Sequence, residues 1–109
     1  MELRLDFSYY IVVGKKKSAS KQISTEQRAK VFKALSDPTR LRMVEMLSNG
    51  NALCGSEITD NLGISMALLC HHWKTLEHAG LISKKKEGQT TSISLNRQLL
   101  SDCLSDVID

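Results

Sequence analysis

The chain has 109 residues, 41% apolar and 25% charged, with a formal net charge of +3 and three cysteines. That fits one globular domain with a modest core, too apolar for a disordered chain and small enough to gain from dimerisation. Its longest uninterrupted apolar run, Tyr9 to Val13, falls far short of the ~20 residues of a membrane span. Glu2, Arg4 and Asp6 interrupt the start, where a secretory signal needs its apolar core. The cysteines lack zinc-finger spacing and read as thiols. A cytoplasmic protein with no membrane partner is expected.

The net charge has an address. Residues 1–23 hold five of the fifteen Lys/Arg and two of the twelve acids, so they carry all of it. Residues 24–109 are neutral overall but polarised, basic at Arg28 to Arg42, Lys74 and Lys84 to Lys86, acidic at Asp102, Asp106 and Asp109. A domain of that kind meets a charged partner through local patches rather than through its whole field.

In chain order, residues 1–13 alternate weakly and end in Tyr-Tyr-Ile-Val-Val, which suits a strand. Residues 14–23 read as a linker, so 1–23 is a mobile extension or a basic arm that touches phosphates or a partner subunit. The domain proper spans 24–109. Ser24-Thr25-Glu26-Gln27 has the pattern of a capping box, opening helix one, which runs to about Leu35. Asp37 caps helix two, with Pro38 in its first turn; this helix is expected to bury Leu41, Val44 and Leu47 and to stop at Asn49-Gly50-Asn51. Helix three starts near Cys54 and ends at Leu62. After a tight turn at Gly63, helix four starts behind Ser65, carries the stripe Leu69, Trp73 and Leu76, and closes at Ala79-Gly80. Leu81 to Leu95 reads as a β-hairpin turning at Glu87-Gly88-Gln89. Helix five starts near Asn96 with Leu100, Cys103, Leu104 and Val107 on one face, apolar enough to be a subunit interface.

Two helices joined by a short glycine turn form a helix-turn-helix, whose second helix can enter a DNA major groove. With the hairpin behind it the fold is a winged helix-turn-helix, mainly α with a small β-hairpin, and dimeric. The function this implies is transcription regulation on double-stranded operator DNA. No phosphate loop, Ser-His-Asp set or paired carboxylates in a cleft point to an enzyme.

Two stretches carry a resemblance. Phe32-Lys33-Ala34-Leu35-Ser36-Asp37-Pro38-Thr39-Arg40-Leu41-Arg42 and His72-Trp73-Lys74-Thr75-Leu76-Glu77-His78-Ala79-Gly80-Leu81-Ile82 resemble the ArsR/SmtB repressors. These are dimeric bacterial winged-helix proteins that leave DNA when a metal, metalloid or oxidant reaches their cysteines. The resemblance covers about residues 25–108 and implies that helices one and five form the dimer interface while helix four reads DNA.

The family's metal sites do not carry over. Its helix-three box has a Leu-Cys-Val-Cys/Gly-Asp core; here it reads Leu53-Cys54-Gly55-Ser56-Glu57, with Ser56 at or beside the second thiol's place and no His or Cys in residues 1–53 to complete it. The helix-five zinc site needs an Asp and two His, and Arg97 and Leu99 stand where the first two ligands would fall. The thiols remain. Cys54, in a Cys-x-x-Glu pattern at a helix start, is favoured as thiolate by unpaired N–H groups and opposed by Glu57. Together with Cys103 it is the expected effector sensor, and Cys54 is the one candidate metal ligand. Arsenite, another thiophilic ion or an oxidant with no bound group are the effectors such thiols suit. Each cysteine also has a plain structural reading: a poor cap for Cys54, an interface hydrophobe for Cys103, and for Cys70 a substitute for the family's DNA-contacting Ser.

The expected DNA-contacting residues are Ser65, Met66, Ala67, Cys70, His71 and Lys74 on helix four, with Lys84, Lys85, Lys86 and Gln89 on the wing. Few of these make bidentate base contacts, so thymine methyls, phosphates and DNA shape would carry more of the specificity. Lys84 to Lys86 also read as a solvated strand end. His71 and His72 diverge by ~100° on a helix and cannot share one ion; His72 is better explained by helix packing or a hydrogen bond on the DNA side. A function of another class fits the same surface: a winged-helix module that binds a protein through Met66 and Leu68.

Overall fold

The computed structural model describes residues 23–108. The strand expected within 1–13 and the arm at 14–22 lie outside the described residues, as does Asp109. Five helices and three strands follow one another: α1 (Thr25–Ala34), α2 (Pro38–Leu47), β1 (Leu53–Cys54), α3 (Gly55–Leu62), α4 (Met66–His78), β2 (Ile82–Glu87), β3 (Thr90–Leu95) and α5 (Arg97–Ile108).

The helices begin where short polar side chains can take up orphan N–H groups. Ser24 accepts from the Gln27 N–H at 3.1 Å, Asp37 from Arg40 at 3.0 Å, Ser65 from Leu68 at 3.1 Å and Asn96 from Leu99 at 3.1 Å. At Ser24 the hydrogen bonds supply only this first half of the expected box. The end of α4 is a full Schellman closure: Gly80, at φ +84°, donates to the Glu77 carbonyl and Leu81 donates to that of Leu76. A side chain at Gly80 would also press on Leu99 at 3.2 Å.

The core runs from Val31 and Ala34 through Met43, Val44 and Leu47, Ile58, and Leu69 and Leu76 to Leu81, Ile82 and Ile93 of the sheet. Two expectations are corrected. Leu41 is exposed and Met43 takes its place, because the buried arc of α2 centres on Met43, Val44 and Leu47 and leaves Leu41 on the flank. Ile23, assigned to the extension, is buried with the core.

The hairpin pairs Ile82 with Leu95 through Glu87 with Thr90, around the two-residue turn Gly88-Gln89. Gly88 sits at φ +64°, as the first central position of such a turn requires. The wing is not a lone hairpin. β1 pairs antiparallel with β3, Leu53 opposite Ile93 and Cys54 opposite Ser92, giving the order β1-β3-β2. Two residues are too few to show an alternating pattern, so this strand was invisible in the sequence. It fixes the start of α3 to the wing.

Helix α5 buries Cys103 but leaves Leu104, Val107 and Ile108 at 49%, 59% and 80% exposure. Arg28 ties it to α1, with Nη1 3.4 Å from Asp106 and 2.7 Å from the Ile23 carbonyl.

The core predicts its own weak point. Leu76 is fully buried between the helices, so Leu76→Ala should lower unfolding free energy by about 2–5 kcal/mol through lost transfer and a cavity. Urea denaturation checks this; the midpoint should fall with the slope unchanged.

Candidate nucleic-acid interface and thiol site

Helix α4 has two unlike faces. Leu69, His72 and Leu76 point inward and are buried, while Ala67, His71 and Lys74 are exposed with Met66 and Leu68 at 49% and 41%. Ser65, at the helix start, is exposed; its hydroxyl oxygen accepts from the Leu68 N–H, and its own O–H remains available to donate. Cys70 is half-buried at the edge of this face, and Gln89 is exposed at the tip of the wing.

The three wing lysines do not form one patch. Side chains alternate across a strand, and Lys84 shares a face with Ile82 and stands over α4, its Nζ 4.6 Å from the centre of the Trp73 ring. Lys86 falls on that same face by alternation. Lys85 falls on the other, where its Nζ lies 3.5 Å from the Glu87 carboxylate. The run read as a unit in the sequence is therefore split, two lysines beside α4 and one paired away from it.

A buried polar junction holds α4 in place. Arg40 Nε donates to the Ala34 carbonyl at 2.6 Å, and its Nη1 lies 3.2 Å from His72 Nδ1. A guanidinium has no acceptor atom, so His72 Nδ1 accepts. Asp37 Oδ2, 3.9 Å from that nitrogen, is too far to hydrogen-bond it; its firm contact is the Arg40 backbone N–H. That N–H holds the Asp37 carboxyl below its ordinary value, and the guanidinium adds to the effect. The two sequence stretches that carried the family resemblance thus meet at Arg40 and His72. Helix packing is the role His72 fills. The His71 and His72 rings stand edge to face, 5.3 Å apart, with His71 turned to solvent.

The cysteines occupy two separate settings. Cys103 is fully buried in α5, and burial pushes its thiol up, with Asp106 and Asp102 raising it further against the pull of Arg28. Cys54 is half-buried as the residue that begins α3. Glu57 Oε1 accepts from the Cys54 N–H at 2.9 Å, which together with the Cys54 thiol holds its carboxyl below the usual range. Cys54 Sγ lies 3.2 Å from Ser56 Oγ, a hydroxyl where the family's box would need a second thiolate. The residues present do not fit that site. Among the described residues no three His, Cys, Asp or Glu side chains gather as a metal set.

Cys103 lies in the core and does not line the cleft that Cys54 lines. Cys54 shares that cleft with Cys70. A cleft of about 450 Å³ between the start of α3, the outer edge of α4 and the wing tip is lined by Cys54, Ser56, Met66, Cys70, Trp73 and residues 89–91. Sequence reasoning placed Cys70 on the DNA face alone, because nothing local links two residues that only β1 and the packing of α3 on α4 bring to one cleft.

A three-helix core with a helix-turn-helix, an exposed second helix and a basic hairpin beside it defines a winged-helix DNA-binding transcription regulator. The model of the family described as "Bacterial regulatory protein, arsR family" matches residues 37–84. The transcriptional repressor SdpR of Bacillus subtilis is 37% identical over 75 residues, covering 69% of this chain and 82% of that protein. The arsenical resistance operon repressor of Staphylococcus xylosus is 32% identical over 78 residues, covering 72% and 74%. The homodimeric winged helix-turn-helix DNA-binding domain of Mb0332 from Mycobacterium bovis superposes with a TM-score of 0.65 at 22% identity, covering 76% of this chain and 78% of that one. This chain belongs to the ArsR family of bacterial regulatory proteins. No described helix is long and apolar enough to cross a membrane.

The Asp37 cap gives a pH signature. Its folded pKa lies below the ordinary 3.8, so its contribution is fully present above that value and is lost as pH falls through the lowered one. Asp37→Asn keeps a capping oxygen but removes the charge. Thermal melts at pH 2–5, taken as a rough bracket of the carboxylate range, should show the wild type losing more stability across the window than the variant.

Proposed function

We propose that this chain is a homodimeric transcriptional repressor that binds a two-fold DNA operator in the cytoplasm and is released from it by thiol chemistry. Residues 24–109 form the DNA-binding and dimerisation domain. The observation that carries the proposal is the exposed outer face of α4 with Lys74 on it and Lys84 and Lys86 beside it. On DNA, Met66, Ala67 and Leu68 meet base edges and thymine methyls. Cys70 and His71 follow the groove wall, and Lys74, Lys84 and Lys86 meet phosphates. Ser65 can donate its O–H to a phosphate while its oxygen caps the helix. Gln89 reaches the flanking backbone from the wing tip.

Dimerisation uses α1 and α5. The exposed Leu104, Val107 and Ile108 support this, since an apolar helix end of that kind is covered in a stable protein. Thiol chemistry starts at Cys54, because the raised thiol of fully buried Cys103 is a poor source of the reactive thiolate. Arsenite, an oxidant or reactive sulfur are the effector classes this allows, and a named relative represses an arsenical resistance operon. The exposed Met66 and Leu68 also favour a protein-docking module, and operator binding separates the two.

Gel-shift titration on the DNA upstream of the chain's own gene tests the proposal. Binding should be strongly salt-dependent, with half-sites about 10 bp or a multiple apart. Lys84→Ala and Lys86→Ala should each weaken binding to every sequence alike and shallow the salt slope by roughly 1. Lys85→Ala, on the opposite strand face, should leave the slope nearly unchanged. Equal effects at all three positions would refute the split wing.

Leu104→Asp should place an unpaired charge in a dry interface and cost several kcal/mol of association. Sedimentation should find the wild type dimeric at micromolar concentration and the variant monomeric; a monomeric wild type would overturn the interface.

A further inference from the structure

We propose that the cleft between α4 and the wing is a binding site for a soft monovalent cation of the Cu(I) class, held by the thiolates of Cys54 and Cys70 with the Met66 thioether as third donor. The proposal rests on the repressor reading above and names its effector site.

Three sulfur-bearing side chains line this one cleft. Cys54 comes from the junction of β1 and α3, and Met66 and Cys70 stand one helical turn apart on the outer edge of α4, the spacing at which side chains meet. Met66 packs against the start of α3 at Gly55. A Cβ there would lie 3.5 Å from both Met66 Sδ and Met66 Cε, ordinary contact distance, so the thioether lies beside the residue that follows Cys54. The remaining lining is Gly55, Ser56, Trp73, Gln89 and two threonines. The nearest carboxylate, Glu57, lies outside the lining and is held by the Cys54 N–H at 2.9 Å, and it must give up its contact with the Cys54 thiol when the metal binds. Thiolate and thioether donors select soft ions over magnesium, calcium or manganese. Three sulfurs with no fourth thiolate or imidazole suit low-coordinate Cu(I) better than zinc, which closes its structural sites with four donors. Ser56 Oγ, 3.2 Å from Cys54 Sγ, can donate to the thiolate and orient it, as outer partners of metal ligands do.

The charge balance explains release. Two S–H protons leave to solvent, one Cu(I) enters, and the neutral thioether donates a lone pair without losing a proton. The site therefore falls by one unit of charge, and nothing is oxidised or reduced. That change occurs within the face assigned to DNA, between Met66 and Cys70 of α4 and the Gln89 tip. Metal and phosphate backbone compete for one surface, and no transmitted change in the core is needed.

The test uses the whole chain, kept anaerobic with a reductant, and Cu(I) supplied through a chelator of known affinity. Metal stoichiometry is measured on free protein, and operator affinity is measured with and without Cu(I), each variant against itself. The wild type should bind one Cu(I) per chain and lose operator affinity when loaded. Cys54→Ser and Cys70→Ser should abolish stoichiometric binding, and Met66→Leu, which keeps volume but removes the sulfur, should weaken it by at least about 10-fold. Cys103→Ala should bind Cu(I) like the wild type. Loss of binding in Cys103→Ala but not in Cys70→Ser would overturn the cleft site, and an unchanged Met66→Leu would overturn the third donor. A wild type that leaves DNA with arsenite or oxidant but binds no Cu(I) would sink the soft-cation site while sparing the repressor. Stoichiometric Cu(I) binding without any operator binding would do the reverse.

Discussion

Arg40 is the part on which the orientation of the reading helix depends. Its guanidinium closes the C-terminal end of α1 at the Ala34 carbonyl and reaches the ring of His72 in the middle of α4. Its backbone N–H is taken by the Asp37 cap that starts α2. One side chain thereby joins three helices at fixed distances, using a rigid fork of donors that lysine could not supply. A positive charge at the end of α1 also complements that helix's dipole. Because His72 is buried, an Arg40 lost or displaced would leave both the ring nitrogen and the Ala34 carbonyl short of a partner, which costs more than the bonds themselves contribute.

This junction links the two halves of the molecule. α1 is tied to α5 by Arg28 and Asp106, and to α4 by Arg40. A change in how α1 and α5 pack across a dimer would reach the reading helix through those polar contacts. The thiol cleft stands on the opposite side of α4, against the wing, and takes no part in that route. An effector bound there acts on the DNA surface itself. The distinction has thermodynamic content. An allosteric effector shifts DNA affinity by a fixed coupling, about 1–3 kcal/mol in typical cases, and then saturates. A competitor for the same surface continues to displace DNA as its concentration rises.

How much of this was legible in the chain depends on whether the signal was local. The caps at Ser24, Asp37, Ser65 and Asn96, the closure at Gly80 and the turn at Gly88 are read from neighbours in sequence, and the structure has them at those places. The split of Lys84 and Lys86 from Lys85 was also local, since a period of two was available once the hairpin was assigned. What could not be read was contact between elements. β1 has two residues and no pattern. Ile23 lies beyond its helix cap, and its burial depends on surfaces remote in sequence. Leu41 looked like core because α2 carries more apolar residues than its buried arc can hold. Cys54 and Cys70 come to line one cleft only through the packing of α3 on α4.

The sulfur-rich edge of α4 also accounts for a departure in its DNA face. This helix presents Met66, Leu68 and Cys70 where polar side chains would suit base contacts. Those side chains give up hydrogen-bonded readout, and as an unaided DNA surface they are a poor choice. They become intelligible if the same residues must hold a soft ligand. A polar recognition helix could bind its operator more selectively but would offer no thioether and no second thiol to the cleft. Specificity then shifts toward methyl contacts, phosphates and the shape of the duplex. On that proposal the surface that reads DNA and the surface that senses the effector are one, and a substitution that improves either would act on both.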